Sequence, residues 1–164
     1  MTPEELVSTA GEREVLETFV DAYRAVLVRK LTGLSEEDVR RRLVPSATTL
    51  LGLLKHCAVV ERVWFQHRVA GVPRAEIDGH ANGDESSFVV GPQETIADVI
   101  AEYEQACAIS RRIAAGVRLD DTVPHQRMGQ VSLRWIYVHM IEELSRHAGH
   151  ADILREQIDG STAD

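Results

Sequence analysis

The last third of the chain carries His139, Glu143 and His147 at successive four-residue steps, with His150 three residues further on. On a helix, a carboxylate and an imidazole at i and i+4 share one face with Cβ atoms about 6 Å apart, so both can reach one metal ion. His56 offers a third ligand from elsewhere. It lies three residues after Leu53 and four before Val60, within an apolar stripe. Two imidazoles and a carboxylate converging from facing helices would leave open coordination positions and suit Zn²⁺, Ni²⁺ or Fe²⁺. Plainer readings stand beside this one. A lone histidine on an apolar face is often a core residue bonded to a backbone carbonyl, and Glu-x-x-x-His is often a surface contact. His139 would be an entrance or acid–base group, with Glu142 as its alternative. His67, His80 and His125 have no partner at ligand spacing and read as surface or loop residues.

Four stretches of helical periodicity must position these side chains. The first begins near Glu12, with Leu16, Phe19, Val20, Tyr23, Val26 and Leu27 as its apolar stripe and Asp21, Arg24 and Lys30 on the other side. A Ser35–Asp38 capping pattern opens a short helical bridge. The second long helix is expected to start between Ser46 and Thr49 and end at Gly71, burying Leu50, Leu53, Leu54, Val60, Trp64 and Phe65. The third starts at the Thr95–Asp98 capping box and reaches Gly116. The fourth runs from Ser132 to about Ile158, and residues 159–164 form a flexible tail. The intervening stretches, 72–94 and 117–130, read as long loops, with Ser87–Val90 the one segment resembling a strand. The pattern predicts an all-α four-helix bundle forming a single domain over residues 1–164, with long loops between helices 2 and 3 and between helices 3 and 4.

Composition narrows the function. The 164 residues carry 26 acids against 18 bases, a net charge of −8, which argues against nucleic acid or an anionic membrane as partner. Cys57 and Cys107 form no CxxC pair, the start of the chain lacks a signal-peptide pattern, and no apolar run approaches a membrane span. A cytoplasmic protein is expected. A non-catalytic alternative, a stress-related binding protein, would use Val63 and Val69 as an exposed homodimer face.

The run from Leu133 to Glu156, with His139, Glu143 and His147 followed by Ala148-Gly149, closely resembles the last helix of DinB-like proteins, in their actinobacterial branch. Leu50 to Phe65, with His56, Glu61 and Trp64-Phe65, is similar to that branch's second helix. The resemblance implies a bundle whose core binds a divalent metal through one side chain of the second helix and two of the fourth. By position these are His56, Glu143 and His147, with His147 preferred over His150 because it precedes Ala148-Gly149. In many members the last pair is His-x-x-x-His, whereas the mycothiol-dependent maleylpyruvate isomerase has Glu first, as here. Characterised relatives use mycothiol or bacillithiol. The resemblance therefore implies zinc, or nickel or iron, holding a low-molecular-weight thiol as the thiolate that attacks a small electrophile, in an S-transferase or isomerase. Metal-dependent hydrolysis, with water in place of the thiol, is the alternative enzyme.

Overall fold

The computed structural model describes residues 1–162, so the last two residues of the expected tail lie outside the described residues. Its long helices are α2 (Glu12–Arg29), α3 (Leu50–Glu61, continuing with wider winding over Arg62–Val69), α4 (Ile96–Ala115) and α5 (Leu133–Asp159). A four-residue helix, α1 (Pro3–Leu6), precedes them, closed by a capping box between Thr2 and Glu5. No helix among the described residues is long and apolar enough to cross a membrane.

The helix ends follow their capping residues. Thr49 accepts from Gly52 N, Thr95 from Asp98 N and Ser132 from Trp135 N, so each hydroxyl satisfies a free amide of the first turn. Gly160 ends α5 at φ 77°, a conformation that costs residues with a Cβ. The 27 residues of α5 span about 40 Å.

α2 packs on α5, α5 on α3, and α3 on α4. Leu27, Leu50, Leu53, Leu54, Phe65, Tyr103, Ile136, Met140 and Leu144 fill the shared core. Polar contacts join α2 to α4 and the turn after it: Arg13 donates to Ala114 O and Val117 O, and Arg111 pairs with Asp21.

The all-α expectation holds for the long helices and needs one correction. Residues 117–130 are not simply a loop: β1 (Thr122–His125) pairs antiparallel with β2 (Gly129–Ser132), Thr122 opposite Ser132 and Val123 opposite Val131. Four-residue strands with Pro124 and a mostly exposed surface leave too little alternation to read. The suspected strand Ser87–Val90 is instead a 3-10 turn over Glu85–Phe88. Asp84 accepts from Ser86 N, and such local side-chain bonds compete with extended backbone.

Two polarity assignments also change. Arg24, expected on the solvent side of α2, is 5% exposed, because it pairs with the fully buried Glu61. Val63 and Val69 are half-buried rather than exposed, and Val69 packs against the core.

Candidate metal centre

α3 and α5 bring His56, Glu143 and His147 together, with one ligand-capable atom from each lying within 4.8 Å of the others. Glu143 and His147 sit one turn apart on α5, their Oε2 and Nε2 separated by 3.5 Å. The His56 ring meets the His147 ring edge-on at 4.7 Å between centroids. The three side chains would be the ones to hold a single divalent ion.

The loop after α3 prepares His56. Its Nδ1 lies 2.7 Å from Ser87 Oγ, and that hydroxyl donates its own hydrogen to Asp84 O at 2.6 Å. Ser87 therefore accepts from His56 Nδ1–H, which fixes the tautomer and leaves the Nε2 lone pair free. Metal-binding histidines are commonly oriented in this way. Phe88 stacks on the other side of the relay, its ring 4.1 Å from that of His56 and nearly parallel. The close approach depends on Gly52, one turn before His56: a Cβ there would lie 2.6 Å from Phe88 O. Glycine inside a helix costs about 1 kcal/mol relative to alanine, and here it makes room for the loop. Lys55 pins the end of the same loop through Glu94 at 2.5 Å.

The electrostatics suit a cation. Burial pushes His56 down to about 4, helped by His147 and opposed by Glu143, so the ring is neutral near pH 7. The facing His147 imidazole holds the Glu143 carboxyl below the usual range, against the effect of burial. His147 Nδ1 is buried with no hydrogen-bond partner. Two imidazoles and one ionised carboxylate match the donor set of a divalent ion.

Ser87 is thus a positioning group, and Ser87→Ala is expected to weaken zinc affinity about 10–100-fold with the helical content unchanged. Competition with a chromophoric chelator measures this; an unchanged affinity would show that the relay does not orient His56.

The other histidines take different places. His150 is exposed and meets the His147 ring edge at 5.6 Å. His139 is half-buried against Trp64 and Trp135, and Glu142 is exposed and paired with Arg146. His67 Nδ1 bonds Val72 O, and His80 bonds Ser86. His125, read as a surface residue, packs parallel to Trp64 at 5.8 Å. Sequence reasoning missed Ser87, Phe88 and Gly52; the helix-interior glycine one turn before His56 was the available signal. A cleft of about 1050 Å³ along α1 and α2 shares no residue with the triad and contains no histidine.

No protein with a curated description matches significantly. The fold is similar to the crystal structure of a conserved protein from Enterococcus faecalis, with TM-score 0.67 and 16% identity over 90% of this chain and 97% of that one. The family model for mycothiol-S-transferase matches residues 15–160, from the first turn of α2 to the end of α5, a range that includes all three converging side chains. The chain belongs to the mycothiol-S-transferase family, within the DinB-like superfamily.

Proposed function

We propose that this chain is a divalent-metal-dependent mycothiol S-transferase or isomerase on a DinB-like four-helix bundle, joining a low-molecular-weight thiol to a small electrophile. The observation that carries the reading is the convergence of His56, Glu143 and His147 within a family named for mycothiol transfer. These three residues would hold the ion, with zinc the best match to two imidazoles and a carboxylate. A divalent cation there supplies the Lewis acidity that keeps a thiol in its nucleophilic, ionised form.

The chain's own groups do the rest. Ser87 keeps the His56 ring turned toward the site, and Phe88 covers that ring on its loop side, limiting water. His139 stands one turn before Glu143, and burial lowers its basicity so that the ring is neutral and able to accept the thiol proton. The electrophile then gains a carbon–sulfur bond and loses its leaving group, or gains a proton when the step is an addition. This chemistry suits the cytoplasm, where small thiols are kept reduced.

The test supplies mycothiol and 1-chloro-2,4-dinitrobenzene, in which chloride is the leaving group. Conjugate formation that requires both the thiol and the metal supports the reading. Product formed at the same rate without thiol would overturn it in favour of hydrolysis.

A further inference from the structure

The seam between α3 and α5 continues past the triad into a second cluster, of which the proposed thiol chemistry uses only His139. On α5, Trp135 and His139 precede Glu143 and His147 at the same four-residue spacing. Across from them, α3 presents Trp64 and Arg68. Trp64 lies 4.5 Å from the His139 ring and 5.6 Å from Trp135, while Trp135 and His139 stack in parallel at 5.1 Å. β1 closes the far side with His125, parallel to Trp64.

The winding of α3 brings this about. Trp64 follows His56 by eight residues, and in a uniform α-helix that spacing would turn it about 80° away from the His56 face. The π-type segment Arg62–Val69 turns less per residue and brings Trp64 back toward α5. Such segments are rare and concentrate at functional sites.

Arg68 brings a positive charge to the cluster, and the Glu142 carboxylate lies 3.9 Å from His139 Nδ1. The Arg68 guanidinium lies over the Trp64 ring at 5.1 Å, and its Nε is buried with no hydrogen-bond partner. Among the described residues neither Arg68 nor Arg127, in the β1–β2 turn, takes part in an ion pair, whereas eight of the sixteen arginines do. One indole is open to solvent: Trp135 is 38% exposed. A stacked aromatic surface beside unpaired guanidinium groups recognises a flat π-system carrying a negative charge.

We propose that Trp64, Trp135, His139 and Arg68, with His125, form the subsite for the electrophile, and that it selects planar conjugated molecules bearing a carboxylate or similar anionic group. Assigning the ligand as electrophile rests on the transferase reading. His139, its member next to the triad on α5, lies one helical turn, about 6 Å, from Glu143, so the cluster adjoins a thiol held at the triad.

Trp64 and Trp135 are the chain's two tryptophans, so all of its indole fluorescence reports on this cluster. The protein as purified, without thiol, is titrated with cinnamate, with cyclohexanecarboxylate as the non-planar anion and cinnamamide as the uncharged planar amide. Saturable quenching by cinnamate is expected, about tenfold tighter than for either control, and weakened about tenfold by Arg68→Gln and by Trp135→Leu. The second variant replaces a partly exposed residue and retains Trp64 as reporter; circular dichroism checks its fold. Absence of saturable quenching, equal affinity for cyclohexanecarboxylate, or full cinnamate affinity in both variants would overturn the proposal. Because no thiol is present, these outcomes are independent of whether transfer occurs. Cinnamate binding in a protein that transfers no thiol would retain the subsite and reject the transferase.

Discussion

Replacing His147 with alanine is expected to lower thiol transfer by at least about 100-fold while leaving the metal-free protein as stable as metal-free wild type. The rate loss follows from losing one of the three proposed ligands: metal-ion catalysis supplies several kcal/mol of charge stabilisation, and about 2.7 kcal/mol already corresponds to 100-fold. Without it, a thiol of ordinary acidity is only a few per cent ionised near pH 7. The stability expectation has a separate cause. His147 is 8% exposed and its Nδ1 is buried without a partner, a condition that costs about 1–3 kcal/mol. Alanine removes that cost and favours the helix, which offsets the lost packing. Initial rates with mycothiol and chemical denaturation of EDTA-treated protein measure the two halves. A variant that keeps its activity contradicts the ligand assignment; a variant that unfolds contradicts the claim that the ring is held for binding rather than for packing.

A larger stability effect is expected away from the centre. Glu61 is fully buried and receives Arg24 Nε at 2.8 Å and Nη2 at 2.6 Å, a bidentate pair joining α2 to α3. Arg24 remains charged against the effect of burial because Glu61, and then Asp21, face it. Glu61→Ala leaves a guanidinium inside the core with Asp21 as its remaining carboxylate, and should cost about 3–5 kcal/mol in urea denaturation. Adding Arg24→Met should recover most of that loss, because apolar replacement of both partners removes the stranded charge. A loss below about 1 kcal/mol for Glu61→Ala, or no recovery in the double variant, would show that the pair is not what ties the two helices.

The difference between these two sites explains how much the sequence disclosed. Glu143 and His147 share a helix, so their spacing alone places them on one face, and His56 interrupts an apolar stripe. Helical periodicity and capping hydroxyls at Thr49, Thr95 and Ser132 likewise locate the long helices. Periodicity then misplaced Arg24, because a charged residue beside Asp21 reads as solvated until its partner on α3, 37 positions later, is known. Ser87 was hidden for the same reason: it reaches His56 from a loop 31 positions away. The wider winding at Arg62–Val69 has no marker among its residue types, and yet it decides which way Trp64 faces.

The account rests most directly on whether the triad holds a metal. Elemental analysis of untagged protein, beside a His56→Ala/His147→Ala variant of unchanged helical content, measures this. About one equivalent of zinc, nickel or iron in the wild type and none in the variant is the predicted result. A wild type that is empty as purified and takes up no added zinc, or a variant that retains the ion, would contradict the assignment of His56, Glu143 and His147 and the thiol chemistry built on them.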